Sequence, residues 1–138
     1  MNADRVFVDT NVLTYLFDHA TPKKQAQAER RIRAETREIF VSTQVLQELY
    51  VSLTKGRNPI ATPEIAERAV REASQYSVVH VDTALVFAAI EASRKHRISF
   101  WDGLIVRAAA QADCETLLSE DLNSGQVIDG VRVENPFA

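Results

Sequence analysis

The chain has 138 residues, of which 46% are hydrophobic and 25% charged, and its formal net charge is −3. These values fit one globular domain, residues 1–138, with its own hydrophobic core, and they exclude a disordered or fibrous chain. No apolar run approaches the ~20 residues that span a bilayer, and the first five residues are not followed by an apolar run as long as the core of a signal peptide. We therefore expect no membrane anchor, no secretory signal and a cytoplasmic location.

The first predicted strand ends in an acid. Residues 5–8 form a largely apolar run that leads directly into Asp9, and residues 12–17 then repeat apolar side chains at helical spacing. Ligands of open α/β sheets bind at the carboxyl ends of the strands, so Asp9 is the first candidate for a site residue. Helix N-capping alone would also explain an Asp at this position.

A locally basic helix follows in this mildly acidic chain. Thr21 and Pro22 have the pattern of an N-cap and a first helical position, and the helix after them has few apolar residues. We therefore expect it to lie exposed at the edge of the fold. Such a run is usually a solvated helix face, but contact with a phosphate backbone requires the same charges. The candidate backbone contacts are Lys23, Lys24, Arg30, Arg31 and Arg33.

A second strand over residues 38–42 precedes a third helix with a carboxylate beside its apolar stripe. The stripe consists of Val45, Leu46, Leu49, Tyr50 and Leu53. Glu48 lies on the flank of this stripe. A carboxylate in such a position usually reaches solvent or pairs with another side chain, but it is also a candidate site residue. Thr62 and Pro63 begin a fourth helix.

The third strand, over residues 78–82, introduces no zinc ligands. We expect His80 to pack within the strand and Asp82 to cap the helix over residues 84–93. The three histidines and the single Cys114 lack the ligand spacing of a zinc site. Cys114 is expected to be a buried core thiol in a reducing compartment. Any metal bound by this chain is therefore expected to have oxygen ligands.

The last helix carries an acid in its first turn. Trp101 begins an apolar stripe that continues to the end of this helix, and we expect its indole in the core or in an interface. Ser99 and Asp102 have the spacing of a capping box, which by itself would explain Asp102.

Two acids follow the last inner strand. The apolar strand over residues 115–119 leads to Glu120 and Asp121, for which an Asx-turn in a polar loop is the simplest explanation. Residues 126–130 are expected to form a turn, and residues 131–134 a short final strand.

Four of these acids are predicted to meet. Alternating strands and helices predict a parallel sheet with helices on both faces. At its carboxyl edge Asp9 and Asp121 follow strands, while Glu48 and Asp102 lie early in helices. Carboxylates within ~4–6 Å of one another raise each other's pKa unless a cation neutralises them, so Mg²⁺ or Mn²⁺ is expected here. Two such ions ~3.5–4 Å apart are a known arrangement for phosphodiester hydrolysis.

The segments that carry these acids resemble those of the PIN domain family, and within it the VapC-like toxins of bacterial type II toxin–antitoxin pairs. They are Val8 to Leu13, Ser42 to Tyr50, Ser99 to Ile105 and Leu118 to Leu122, in the family's order and across nearly the whole chain. The resemblance implies an α/β, Rossmann-like fold with a five-stranded parallel sheet in the order 3-2-1-4-5. It also implies Mg²⁺- or Mn²⁺-dependent endoribonuclease activity, inhibition by a cognate antitoxin, and a homodimer.

The resemblance also assigns roles to individual residues. The acidic quartet is Asp9, Glu48, Asp102 and Asp121, and the supporting neighbours are Thr10, Asn11 and Ser119. We therefore expect the three aspartates to bind metal and Glu48 to orient or deprotonate the water that attacks RNA. Glu120 competes with Asp121 for the fourth position.

Two other functions are also considered. Haloacid-dehalogenase-like phosphohydrolases resemble D-x-D at this strand end and use the first acid, here Asp9, as a nucleophile, but position 11 is Asn. A non-catalytic RNA-binding or regulatory module would use the acids only as helix caps or for a regulatory phosphate. Receiver-like modules cluster their acids after the first strand, whereas here the acids are spread over four segments.

Overall fold

The computed structural model describes residues 2–138, which form a central sheet with helices packed around it. The strands are β1 (Asn2–Val8), β2 (Glu38–Ser42), β3 (Ser77–Val79), β4 (Cys114–Leu118), β5 (Val127–Ile128) and β6 (Val131–Glu134). The helices are α1 (Thr10–Tyr15), α2 (Pro22–Arg33), α3 (Thr43–Thr54), α4 (Pro63–Ala73), α5 (Thr83–His96) and α6 (Phe100–Gln111). Among these residues, no helix has both the length and the apolar character that crossing a membrane requires.

The five predicted strands run parallel in the predicted order, β3-β2-β1-β4-β6, which confirms the α/β fold. The direction of progression reverses at β1, because the chain moves from β1 outward to β2 and β3 and then returns to β4 on the other side of β1. In open α/β sheets such a reversal opens a crevice at the carboxyl ends of the two strands. The crevice between β1 and β4 is therefore where this fold places a ligand.

A sixth strand corrects the prediction that residues 126–130 form only a turn. β5 pairs antiparallel with β6 at the edge of the sheet, so the sheet is mixed there. Between the two strands Asp129 and Gly130 have φ of 50° and 82°. This left-handed pair is what a two-residue type I′ hairpin needs, and Asp-Gly is a preferred sequence for it.

The other predicted elements are confirmed with small shifts at their ends. Asp82 caps α5, as its side chain accepts a hydrogen bond from the Leu85 N–H at 2.9 Å. Pro22 begins α2 as predicted, but Thr21 makes no capping hydrogen bond through its side chain. The prediction that His80 packs within a strand is wrong, because β3 ends at Val79 and leaves the imidazole exposed.

The core lies between the sheet and the helices. Val6, Phe7 and Val8 of β1 are fully buried, as expected of a central parallel strand, and the thiol of Cys114 is buried as predicted. Helix α2 contributes only Ala28 to the core, which confirms that it lies at the edge of the fold. Tyr50 was predicted in the buried stripe of α3 but is exposed, because it lies about 100° around the helix from the buried Leu49.

Helices α5 and α6 approach each other closely at Gly103. A Cβ atom at this position would lie 2.8 Å from the carbonyl oxygen of Ala89 in α5, so any larger residue would push the helices apart. The first turn of α6, which contains Trp101 and Asp102, is therefore placed against α5 at the carboxyl edge of the sheet. The prediction that Trp101 begins the buried stripe of α6 is wrong, because its side chain is 61% exposed.

An ion-pair network ties α2 and the segment after it to the sheet. Glu35 accepts hydrogen bonds at 2.9 Å from the guanidinium groups of Arg31 and Arg37. Arg37 also donates to the Thr116 hydroxyl of β4, and Arg31 to Glu134 of β6, each at 2.9 Å. The hydrogen bonds from Arg37 lower the pKa of the Glu35 carboxyl to about 2.

We expect Glu35→Gln to lower the melting temperature at pH 7, with a loss of about 1.5–3 kcal/mol because hydrogen bonds to a charged group are removed. Since the pKa of Glu35 is about 2 in the folded chain and ordinarily 4.5, its stabilising effect is present above pH 4.5 and is lost as the pH falls towards 2. Thermal unfolding of both chains between pH 2 and pH 7 tests this. Glu67→Gln, which breaks an exposed pair with Arg71, is the control and should change little.

Candidate functional site

A cavity of about 690 Å³ lies at the carboxyl edge of the sheet. Three of the predicted site acids, Asp9, Glu48 and Asp121, contribute to its lining. Asp102 lies beside it, close enough for its carboxyl to be influenced by the charges of Glu48 and Asp121. The structure thus brings the four predicted acids together from four separate segments.

Asp9 is held at the junction of β1 and β4. One oxygen, Oδ2, accepts a hydrogen bond from the Ser119 hydroxyl at 2.7 Å, and the other, Oδ1, accepts from the Thr10 N–H at 2.7 Å. Asn11 Nδ2 lies 3.5 Å from Oδ2. The residue is only 4% exposed, so its carboxylate has lost most of its contact with water. The predicted supporting neighbours Thr10, Asn11 and Ser119 therefore all surround this one carboxylate.

Burial raises the pKa of Asp9 to about 7. The hydrogen bonds from Ser119 and Thr10 act in the opposite direction, and the negative charges of Asp121 and Glu48 raise the pKa further. A carboxyl with this pKa is poorly stabilised as an anion by the protein alone, and a bound cation would lower the pKa.

Glu48 is oriented by two neighbours. Its Oε1 accepts a hydrogen bond from the Thr10 hydroxyl at 2.9 Å, and Gln44 Nε2 donates to its Oε2 at 3.4 Å. Gln44 Nε2 also donates to the Trp101 carbonyl oxygen at 3.3 Å, so this buried amide links α3 to the first turn of α6. Both partners of Nε2 are acceptors, which fixes the orientation of the amide and leaves Gln44 Oε1 without a hydrogen bond.

Asp102 lies in the first turn of α6. Its N–H donates to the Ser99 hydroxyl at 3.0 Å, which is the Ser half of the predicted capping box. Partial burial raises the pKa of Asp102, Ser99 opposes this shift, and the charges of Asp121 and Glu48 reinforce it. Capping therefore accounts for Ser99, whereas the Asp102 carboxyl contributes to the acidic cluster.

The structure separates Glu120 from Asp121. Glu120 is paired with Lys24 and accepts a hydrogen bond from the Tyr15 hydroxyl at 2.9 Å. Asp121 lines the cavity, and its N–H donates to the Ser119 hydroxyl at 3.1 Å. The charge of Asp121 raises the pKa of Asp9 and Asp102, whereas Glu120 is neutralised outside the cavity. Asp121 is therefore the acid that belongs to the cluster.

Sequence reasoning missed Gln44 and the role of Tyr15. Gln44 is a polar residue one helical turn before Glu48, and this i, i+4 spacing was a usable signal. Tyr15 gave no such signal, because its partners Lys24 and Glu120 meet it only in the folded chain.

Much of the predicted basic surface is paired with acids. Lys24 pairs with Glu120, Arg31 with Glu35 and Glu134, and Arg33 lies 3.8 Å from Glu29. Within residues 2–138, Lys23 and Arg30 form no ion pair and are exposed. The positive charge that α2 can offer to a phosphate backbone therefore comes mainly from these two residues.

The acidic cluster has the chemistry of a site for a hard divalent cation. Among residues 2–138, no Lys, Arg or His forms an ion pair with any of the four acids. In the same residues, no group of three or more His, Cys, Asp or Glu side chains is arranged so that it could hold a metal ion as it stands. The donor set consists of oxygen atoms alone, which favours Mg²⁺ or Mn²⁺ over zinc. Such a cation would stabilise the ionised carboxylate of Asp9, whose pKa is raised mainly by burial and further by the charges of Asp121 and Glu48.

Without divalent cations, we expect Asp9→Asn to raise the melting temperature at pH 8. The pKa of Asp9 is about 7 in the folded chain against an ordinary 3.8, so stability is lost as the pH rises between these values. The neutral amide avoids this loss, which is at most about 4 kcal/mol. The gain should shrink as the pH falls towards 4. An equal effect at both pH values would show that Asp9 ionises at no cost, and Asp82→Asn at the exposed cap of α5 is the control.

Comparisons with known proteins agree with this fold. The model of the PIN domain family matches residues 6–127, which include all four acids. No curated protein sequence matches the chain significantly.

Several solved structures share the fold. VapC20 of Mycobacterium tuberculosis, a sarcin-ricin loop cleaving toxin, has a TM-score of 0.70 and 21% identity, over 84% of this chain and 89% of that one. A toxin–antitoxin complex from Klebsiella pneumoniae gives 0.72 and 18%, over 95% and 97%. DNA-bound VapBC from Salmonella typhimurium gives 0.68 and 21%, over 96% and 98%. The family match over most of the chain, together with this fold, shows that the protein belongs to the PIN domain family.

Proposed function

We propose that this PIN domain is a metal-dependent endoribonuclease and the toxin of a toxin–antitoxin pair. The observation that carries the proposal is the meeting of Asp9, Glu48, Asp102 and Asp121 at one crevice without a cationic partner in residues 2–138. Structural neighbours described as a sarcin-ricin loop cleaving toxin and as toxin–antitoxin complexes support the same function.

Asp9, Asp102 and Asp121 would hold the cation, with Mg²⁺ or Mn²⁺ as the expected species. When bound, such an ion neutralises the charge on a phosphodiester and lowers the pKa of water. The chain supplies the geometry. Ser119 and Thr10 hold the Asp9 carboxylate at the end of β1, so this ligand does not have to be ordered when the cation binds.

Glu48 would orient or deprotonate the attacking water. Its Oε1 is occupied by the Thr10 hydroxyl at 2.9 Å, whereas the longer 3.4 Å contact with Gln44 leaves Oε2 the better acceptor for a proton. Because the side chain is already held in one orientation, little conformational entropy is lost when it acts as a base. Such positioning lowers the activation barrier of the hydrolysis.

In the phosphohydrolase alternative, Asp9 is the nucleophile and is the first acid of a D-x-D pattern. Position 11 is Asn, whose amide lies 3.5 Å from Asp9 Oδ2, so the second acid of that pattern is absent. This favours Asp9 as a metal ligand over Asp9 as a nucleophile.

The same crevice is a suitable site for inhibition. A basic side chain of a cognate antitoxin would neutralise the acids and occupy the position of the cation, since charge complementarity stabilises such a contact. The homodimer implied by the resemblance stays a prediction.

We expect Asp9→Asn and Asp102→Asn to fold normally and to lose cleavage by at least about 100-fold, because each removes a metal ligand. EDTA should abolish cleavage by the unchanged protein. Glu48→Gln should cost about 10²–10⁴-fold, as expected for a general base. The measurement is cleavage of a mixed cellular RNA pool by purified, antitoxin-free protein with Mn²⁺. Asp82→Asn, the same change at an acid outside the crevice, should leave cleavage unchanged, and full activity of both Asp9→Asn and Asp102→Asn would overturn the assignment.

Asp121 and Glu120 are adjacent, so their variants form a matched pair. We expect Asp121→Asn to lose cleavage by at least about 100-fold, as for another metal ligand. Glu120→Gln should change cleavage only a few-fold, because this side chain pairs with Lys24 outside the cavity. The reverse order in the same assay would show that Glu120 is the fourth acid of the site.

A further inference from the structure

The cavity continues from the acids along one face of α3. It is lined by five residues of α3 and by the C-cap of this helix: Gln44, Gln47, Glu48, Val51, Ser52 and the C-cap Lys55. Their spacing of three and four residues is that of a single helix face. Between positions 44 and 55 the helix rises about 16 Å. We call this channel the α3 groove; Trp101 lies at the end nearest Gln44, and Lys55 at the other end.

Trp101 is held in place but not covered. Its carbonyl oxygen accepts the hydrogen bond from Gln44, and its ring meets the Phe100 ring edge-on, with 5.0 Å between centroids and 77° between planes. More than half of the side chain is nevertheless exposed. A large aromatic ring that is fixed at its base and open to solvent is suited to stacking on a planar ligand.

Lys55 is the cation of the groove. It is exposed, and within residues 2–138 it forms no ion pair, in contrast to Lys24 and Arg31 on α2. Glu48 lies between Trp101 and Lys55 along the groove, so a chain that contacts both ends must pass the acidic cluster.

We propose that the α3 groove binds single-stranded RNA, with one unpaired base stacked on Trp101 and a phosphate at Lys55. This inference rests on the proposed function and adds two residues of this chain, Trp101 and Lys55, that position the substrate. A base inside a duplex is already stacked on both faces, whereas an unpaired base can turn towards an aromatic side chain. Stacking is tolerant of sequence because every base has a π-face, so this contact selects for single strands and not for a particular base.

Trp101 is the one tryptophan of the chain, which makes its fluorescence a direct reporter of the contact. The Asp9→Asn protein with Mg²⁺ is titrated with a short single-stranded oligoribonucleotide and, separately, with the same sequence annealed to its complement. We expect saturable quenching by the single strand and little by the duplex. Equal quenching by both, or binding by anisotropy with unchanged emission, would overturn the proposal.

The affinity of a labelled oligoribonucleotide tests the stacking quantitatively. In the Asp9→Asn background, Trp101→Ala should weaken binding by about 5- to 150-fold, the range for loss of one base stack, and Trp101→Phe should restore most of the affinity. Phe87→Ala is the matched control, because Phe87 is equally exposed on α5 but does not line the groove. Equal affinities of the Trp101→Ala and control proteins would overturn the proposal.

Salt dependence tests Lys55 separately. A single contact with a phosphate of single-stranded RNA contributes about 0.7 to the slope of log K against log salt concentration. Lys55→Met should reduce the slope by about this amount, whereas Trp101→Ala should leave it unchanged. Lys95→Met on α5 is the control. An unchanged slope for Lys55→Met would remove the phosphate contact from the proposal.

These measurements separate the two proposals. Quenching of Trp101 by the single strand and a loss of affinity on Trp101→Ala, without RNA cleavage by the unchanged protein, would support the groove and overturn the endoribonuclease. Cleavage that depends on Asp102, together with unaltered RNA affinity in Trp101→Ala, would support the endoribonuclease and overturn the groove.

Discussion

The carboxylate of Asp9, buried between the ends of β1 and β4, is the constraint on which the site depends. The Ser119 hydroxyl holds it from β4, and the Thr10 N–H holds it from the start of α1. The Thr10 hydroxyl then extends the same network to Glu48 on α3. Three separate segments are thus joined around one buried acid whose pKa is about 7. Burial of this carboxylate disfavours its ionised form, and the hydrogen bonds from Ser119 and Thr10 partly offset that effect. They also hold the carboxylate at the edge of the cavity, where a cation can approach it.

The charges outside the crevice are arranged differently from those within it. Glu35 and Glu120 each have a basic partner from α2 or its neighbourhood, and these pairs tie the edge helix to the sheet and to the loop after β4. Asp9 and Asp121, by contrast, face the cavity without such a partner in residues 2–138. Because Lys24 neutralises Glu120, one acid of an adjacent pair belongs to the framework and the other to the site. The negative charge of the crevice is therefore available to attract a cation or a basic side chain of a partner.

The first turn of α6 has two further consequences for function. Close packing at Gly103 brings this turn against α5, which sets the position of Asp102 beside the cavity and leaves Trp101 open to solvent. Gln44 joins the same turn to Glu48, so the acidic cluster and the exposed indole are parts of one connected structure. The proposed site for cleavage and the proposed site for an unpaired base consequently share their supporting contacts.

The sequence by itself determined the parallel core of the sheet and the meeting of four acids, because apolar periodicity and the parallel topology bring strand ends to one edge. The resemblance of the segments that carry Asp9, Glu48, Asp102 and Asp121 to those of PIN domains added the family and the strand order. Only the tertiary structure separated Glu120 from Asp121 in space, since Lys24 and Tyr15 reach Glu120 from distant positions. It also decided the exposure of Trp101, because helical period specifies the face of a residue but not whether a neighbouring layer extends far enough to cover it.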